Sequence, residues 1–296
     1  MTTPDGTGSD GTLRIDAYAH VGMPRFQTVD DYRAVMADGG IDRAVLSLFD
    51  ACPDVEGVHA ALCRWPDTFR ALGVPLGADE SELRAGAEAQ LAAGFSGLRL
   101  SDADVLERSW LLETLAERER MGVVCGRASA PECAEILVAH LERHPEAVLV
   151  GGHFGGADDP RVLERGPVAE LFAHPRFFVV FSRHGGYPTP VVRHWAEAVV
   201  ARCGWQRILW GSEAPVLFWR DETIQQAVAW VDQLRPTADE RAAFFGGNAR
   251  RLYFGAPAPL GPLRMPFDPW ARATPRPLPA GAAARQAPGR RTDPRP

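Results

Sequence analysis

The stretch Arg207-Ile208-Leu209-Trp210-Gly211-Ser212-Glu213-Ala214-Pro215 joins a short apolar run to a glycine and a polar tip. The apolar part has the length of a buried strand, and Gly211 and Pro215 are residues that end such runs. This order predicts a β-strand whose carboxyl end presents Ser212 and Glu213. The same arrangement recurs upstream, each time followed by a helical pattern.

Eight strand-length runs alternate with amphipathic stretches along the chain. Helix-start and helix-stop signals support the alternation, with Thr28 before the first helix and Pro131 and Pro190 opening later ones. The strands are expected at residues 13–17, 43–49, 69–76, 97–100, 123–125, 148–152, 177–181 and 207–210. This alternation predicts an α/β fold with a parallel sheet, a (β/α)8 TIM barrel. A doubly wound open sheet is the main competitor, which the absence of G-x-G-x-x-G after the first strand disfavours.

Composition divides the chain into three regions. Residues 1–11 are small and polar and are predicted to be disordered, residues 12–254 carry the barrel, and residues 255–296 are rich in proline, alanine and arginine. Part of this tail is expected to pack on the barrel through Leu263, Met265, Phe267 and Trp270. Beyond about Thr274 disorder is expected.

Charge and residue usage exclude several classes of protein. The 296 residues carry a net charge of −6, which disfavours a nucleic-acid partner, and we find no membrane span or secretory signal. A cytoplasmic location is therefore predicted, with a small anionic molecule as partner, and a homo-oligomer is compatible with the sequence. The five cysteines include no C-x-x-C pair, which argues against a disulfide scaffold. The chain contains no lysine, which rules out a lysine Schiff base and a carboxylated lysine between two metals.

The polar residues at predicted strand ends are the candidates for chemistry, because barrel active sites lie at the carboxyl ends of the strands. His20, His153 and Glu213 follow strands one, six and eight, and together they offer the imidazoles and carboxylate of a mononuclear metal site. Strand alternation would place Asp16, Tyr18 and His20 on one face. Arg99, Arg127 and Arg183 could bind an anionic substrate in bidentate fashion, although salt bridges to nearby acids are the competing interpretation.

An ordered set of motifs resembles the amidohydrolase-related family of TIM-barrel hydrolases and decarboxylases. Residues 15–20 (IDAYAH) resemble the family's strand-one Asp-x-His-x-His, residues 150–156 (VGGHFGG) its strand-six histidine motif, and residues 207–215 its strand-eight Gly-Ser-Asp-x-Pro. Residues 94–100 resemble its strand-four segment with a basic residue, and residues 247–253 its closing Gly-Asn-Ala-x-Arg-Leu. The resemblance covers about residues 13–254 and implies hydrolysis or non-oxidative decarboxylation of a small carboxylated metabolite.

The resemblance also implies a degenerate metal site. Tyr18 stands where the family has a histidine ligand, Glu213 stands for the aspartate, and strand five offers Cys125 and no histidine. The implied metal ligands are His20, Glu213 and a third group, Cys125 or His153, holding a divalent ion, preferably zinc, or no ion at all. His153 is the implied general acid/base, with Glu213 and His184 as further catalytic candidates and Tyr18, Arg99, Arg127 and Arg183 as substrate-binding candidates.

Two other hypotheses remain open from the sequence. A metal-free acid–base enzyme, such as an isomerase, cyclase or dehydratase, would use the same histidines and Glu213. A non-catalytic barrel would bind a ligand or partner instead.

Overall fold

A computed structural model describes residues 13–257 and 259–276 of the chain. In this part, eight parallel strands lie in sequence order around one sheet. Their bounds are β1 Ile15–Ala19, β2 Arg43–Ser47, β3 Phe69–Gly73, β4 Gly97–Leu100, β5 Met121–Val124, β6 Leu149–Gly151, β7 Phe177–Phe181 and β8 Ile208–Trp210. The predicted (β/α)8 barrel is confirmed.

The barrel is joined between its first and last strands just beyond their carboxyl ends. The Glu213 amide donates to the Tyr18 carbonyl and the His20 amide to the Ala214 carbonyl, both at 2.8 Å. Asp16 adds a side-chain link, because its carboxylate accepts from the Ser212 amide at 2.9 Å and from the Ser212 hydroxyl. These bonds place the polar residues at the end of β1 beside those at the end of β8.

Helices follow the strands and cover the outside of the barrel. Their bounds are α1 Val29–Gly39, α2 Val55–Arg64, α3 Glu80–Ala92, α4 Asp102–Glu107, α5 Trp110–Glu117, α6 Pro131–Arg143, α7 His153–Gly156, α8 Pro167–Ala173, α9 Thr189–Cys203, α10 Ile224–Ala229, α11 Ala238–Ala242 and α12 Asn248–Tyr253. Thr28 begins α1 with a reciprocal capping box to Asp31, and Gly40 ends it in the left-handed conformation. No helix in the described ranges is long and apolar enough to cross a bilayer.

Two apolar layers hold the fold together. The barrel interior is filled by aromatic rings and by branched aliphatic residues, among them Val45, Leu72, Val150 and Leu209. A larger layer packs the outer faces of the strands against the helices. All five cysteines are free thiols; Cys133 and Cys203 are buried in the outer layer, and Cys52 is buried beside Phe26 and Phe49.

The proline-rich tail packs along the barrel as far as it is described. Leu260, Leu263, Met265 and Phe267 contact the core, and the Thr274 amide donates to the Asp50 carbonyl at 3.0 Å. Trp270, expected to pack, is 44% exposed. Residues 1–12 and 277–296 lie outside the described chain, so the predicted disorder of both termini stays a prediction.

Candidate active site

Three candidate residues lie two or three positions after the ends of β6, β7 and β8 and have an unusual backbone conformation. His153, Arg183 and Glu213 have φ values of 50°, 63° and 57°, the left-handed region that favours glycine. Each costs about 1 kcal/mol in backbone strain, so the surrounding structure must impose it. The turns direct the three side chains toward one another over the carboxyl ends of β6, β7 and β8. We call this end of the barrel the mouth.

Glu213 is the centre of charge at the mouth and is 1% exposed. Arg183 donates to its Oε1 through Nε at 3.1 Å and NH2 at 2.9 Å, and Arg220 donates to Oε2 at 3.0 Å. Burial alone would raise the pKa of Glu213, but His153, Arg183 and Arg220 lower it to about 2. The carboxylate is therefore ionised at neutral pH, and the two guanidiniums keep it so.

His153 lies between Glu213 and a serine hydroxyl. Its Nδ1 is 2.9 Å from Ser182 Oγ, and its Nε2 is 3.6 Å from Glu213 Oε1. Burial and the nearby Arg183 lower the pKa of His153 to about 3, against the opposing effect of Glu213. The ring is consequently neutral at neutral pH, the form that accepts a proton.

Strand one supplies Tyr18 and His20 to the same space. The Tyr18 ring is 5.0 Å from the rings of both His20 and His153, and its hydroxyl accepts from Arg99 Nε at 2.8 Å. The His20 Nδ1 lies 2.8 Å from the Ser47 carbonyl oxygen, and burial lowers the pKa of His20 to about 4. Cys125 hydrogen-bonds with Tyr18, and burial raises the pKa of both groups.

An aromatic wall borders these residues. Phe26 stacks on His20 at 4.6 Å and on Trp219 at 5.9 Å, and it meets Phe49 edge-on at 5.7 Å. Three guanidiniums lie over the Phe49 ring: those of Arg25, Arg99 and Arg276, at 5.3, 4.9 and 5.0 Å. The mouth thus combines flat apolar surface with positive charge, a combination that suits a cyclic carboxylate.

A separate cavity of about 300 Å³ lies between α1 and the segment after β8, behind Phe26 and Trp219. Its walls include the carboxylates of Asp31 and Asp38, and none of the sequence-predicted site residues lines it. Because these carboxylates would repel an anion, the cavity is a poor site for the substrate expected from the mouth.

The structure brings together Tyr18, His20, Arg99, Cys125, His153, Arg183 and Glu213, whereas the other two candidates have different surroundings. Arg127 has a side chain that is 64% exposed and pairs with Asp158 at 3.1 Å. His184 is 2% exposed beside Phe154 and Trp230, and its ring nitrogens have no hydrogen-bond partner in the described chain. Arg127 thus forms a salt bridge, as the alternative to substrate binding had predicted, and His184 lies in an aromatic pocket.

The expectation that Asp16 shares a face with Tyr18 and His20 is wrong. The register between β1 and β2 shifts between Asp16 and Ala19, and Asp16 accepts a bond from Tyr32 of α1 at 2.7 Å. This irregularity breaks the two-residue alternation, so Asp16 faces the helices while Tyr18 faces the barrel interior.

Sequence reasoning missed Arg220 and Ser182. Arg220 lies seven residues after Glu213, on the 3-10 turn Val216–Arg220, and only the fold of that turn brings its guanidinium back to the carboxylate. Ser182 had a usable signal, because it is the first residue after β7. Its position at the carboxyl end of a strand is the criterion that selected the other candidates.

Comparison with known families fits this architecture. A family model described as amidohydrolase matches residues 3–255. The chain belongs to the amidohydrolase family. It is therefore an enzyme, as the motifs predicted.

Solved structures share the barrel at low sequence identity. A protein from Pseudomonas putida, provisionally assigned as a 2-pyrone-4,6-dicarboxylic acid hydrolase, is 25% identical with a TM-score of 0.63, over 82% of this chain and 98% of that chain. A 2,6-dihydroxybenzoate decarboxylase from Rhizobium is 15% identical with a TM-score of 0.61, over 81% and 98%. A zinc-bound amidohydrolase from Burkholderia multivorans is 19% identical with a TM-score of 0.61, over 82% and 99%. Comparison with curated proteins gives no match.

The donor set at the mouth does not fit a tightly held divalent ion. Both oxygens of Glu213 are bound by arginines, and the Tyr18 hydroxyl is bound by Arg99. Among the described residues, one group of three potential ligands has its ligand atoms within 4.8 Å of one another, and it lies elsewhere. His20, Cys125 and Glu213 therefore do not approach one another closely enough to share an ion. The two guanidiniums that bind the Glu213 carboxylate would also oppose a further cation. We therefore derive no catalytic step through a metal.

Proposed function

We propose that this enzyme hydrolyses a small cyclic substrate that carries carboxylate groups, with His153 as the general base. The observation that carries the proposal is a buried, neutral imidazole held between Ser182 and the ionised Glu213 at the mouth. The Pseudomonas putida relative, named for hydrolysis of a dicarboxylated pyrone, supports this substrate class.

Substrate binding would rest on the arginines. Arg99 binds Tyr18 and Arg183 binds Glu213, both of which lie beside His153, and the Arg183 side chain is 42% exposed, which gives a ligand access to it. Guanidinium groups bind carboxylates through paired hydrogen bonds. The aromatic wall of Phe26, Phe49 and Trp219 would contact the face of the ring.

The chemical step depends on which of the two His153 ring nitrogens carries the proton. A ring that donates its Nδ1 proton to Ser182 Oγ leaves Nε2 as the basic atom, on the side of Glu213. Nε2 takes a proton from water as the water oxygen bonds to the ester carbonyl carbon, and the Glu213 carboxylate stabilises the imidazolium that forms. The bond between this carbonyl carbon and the ester oxygen in the ring of the substrate then breaks, and His153 returns its proton to that leaving oxygen.

The first test is a substrate panel assayed with the full-length protein. Carboxylated lactones and hydroxybenzoates are incubated in water enriched in ¹⁸O, and products are analysed by mass spectrometry with parallel detection of CO₂. Hydrolysis predicts one ¹⁸O in the product. Release of CO₂ without ¹⁸O uptake would assign decarboxylation and contradict the proposal.

Variants then test the roles of the residues. His153→Gln should lower kcat by about 10²–10⁴-fold with little change in KM, because it removes proton transfer. Arg99→Lys should raise KM chiefly, since a single ammonium replaces a planar fork. The matched control Arg127→Lys changes an arginine whose side chain is 64% exposed and paired with Asp158, and it should leave both constants unchanged. Full activity of His153→Gln would refute the assignment.

A further inference from the structure

A second group of ionisable side chains lies far from the mouth, on the outer helices. It consists of Glu113 on α5 and His140 and His144 at the end of α6, with ligand atoms within 4.8 Å of one another. The His144 carbonyl accepts a bond from Arg176, which directly precedes β7. This group, which we call the rim cluster, therefore lies toward the amino-terminal end of the strands, opposite the mouth.

The geometry of the rim cluster follows from helical spacing. His140 and His144 are four residues apart, so their rings lie on one side of α6 with centroids 4.7 Å apart. Glu113 reaches across from α5, with Oε2 2.6 Å from His144 Nε2 and Oε1 3.6 Å from His140 Nδ1. Two imidazoles and one carboxylate thus converge from two elements.

His140 has a ring nitrogen that the other two side chains leave without a hydrogen bond. The residue is 1% exposed, and its Nδ1 has no hydrogen-bond partner in the described chain. The 3.6 Å separation from Glu113 is too long for a hydrogen bond. Buried polar atoms are normally satisfied, so an unpartnered nitrogen aimed at a carboxylate points to a missing species between them.

We propose that the rim cluster binds a divalent transition-metal ion, zinc by preference, through His140 Nδ1, His144 Nε2 and the Glu113 carboxylate. Two histidines, one carboxylate and a water form a common four-coordinate zinc set. At bond lengths of about 2.0–2.1 Å the donor atoms would lie roughly 3.3 Å apart. Modest rotation of Glu113 would reach this spacing, because its side chain is 34% exposed.

The charges around the rim cluster allow binding but limit its strength. Arg143 is 3.1 Å from Glu113 Oε1 and would oppose a cation, yet its side chain is 59% exposed and can turn into solvent. Burial lowers the pKa of His140, which keeps the ring in the neutral form that binds metals. Hydrogen bonding to His144 and the charge of Arg143 lower the pKa of Glu113 against the effect of burial, so the carboxylate is ionised.

Cobalt provides a direct probe of this site. The full-length protein, stripped with a chelator and dialysed, is titrated with Co²⁺ and separately with Zn²⁺. We expect one ion bound per chain at the rim cluster, visible absorption of the intensity typical of four-coordinate Co²⁺, and a zinc-dependent rise in Tm. His144→Gln and Glu113→Gln should remove the absorption and weaken zinc binding by at least about 100-fold, since each removes a direct ligand and indirect changes already cost 10–100-fold.

Two control variants locate the ion. His194→Gln makes the same substitution at an exposed position of α9, and His20→Gln removes the imidazole at the mouth. Both should bind metal as the unmodified protein does. Binding that survives His144→Gln, binding lost in His20→Gln instead, or an absence of Co²⁺ absorption and thermal shift at millimolar metal would each overturn the proposal. His144 is only partly buried, and circular dichroism of each variant verifies that it is folded.

Discussion

Replacing His184 with phenylalanine should make the protein less sensitive to acid. His184 is 2% exposed between Phe154 and Trp230, and burial lowers its pKa to about 3, from an ordinary value of 6.5. Phenylalanine is close in shape, suits the aromatic surroundings and cannot titrate. The change therefore isolates the protonation of this one ring.

The sign and size of the effect follow from proton linkage. Below pH 6.5 the unfolded chain binds a proton at His184 while the native state does not until about pH 3, so stability is lost as the pH falls through this window. At pH 5 the difference spans 1.5 pH units at 1.36 kcal/mol each, or about 2 kcal/mol. The unmodified protein should lose about 2 kcal/mol more than His184→Phe between pH 7 and pH 5.

Urea unfolding followed by tryptophan fluorescence measures this difference at both pH values. Any packing change caused by phenylalanine enters both measurements equally and cancels. His194→Phe, at an exposed position of α9, serves as the control and should follow the unmodified protein. Equal losses for His184→Phe and the unmodified protein would show that His184 is not held neutral in the aromatic pocket.

Three other changes have defined outcomes. In a background lacking the rim cluster histidines, Tyr18→His should raise zinc affinity measured by chelator competition, because imidazole is the better ligand; stoichiometric, chelator-resistant zinc before the change would contradict a degenerate mouth site. Tyr32→Phe should lower the free energy of unfolding in urea by about 1–2 kcal/mol, since it removes the 2.7 Å bond to Asp16; an unchanged midpoint would contradict this. Ending the chain after Thr274 should leave Tm nearly unchanged in calorimetry, because Arg276 contributes a partly exposed 3.7 Å pair with Asp50 and a contact over Phe49, each worth less than about 1 kcal/mol. A drop of several degrees would show that the end of the tail packs.

The local part of this structure was predictable from the sequence. Apolar runs bounded by glycine and proline located all eight strands to within a few residues, and Thr28 marked the start of α1. His153 and Glu213 were also predictable as mouth residues, because a residue within two or three positions of the end of a parallel strand must lie at its carboxyl end. These features depend only on near neighbours in the chain.

The partners of these residues were decided by the tertiary structure. Arg220 reaches Glu213 only because a 3-10 turn folds back over β8, and the irregular register of β1 turns Asp16 away from the mouth. The rim cluster joins residues from two helices about 30 positions apart. Spacing along the chain gives the period of each element but not how neighbouring elements are aligned or packed, so such contacts exist only once the barrel has closed.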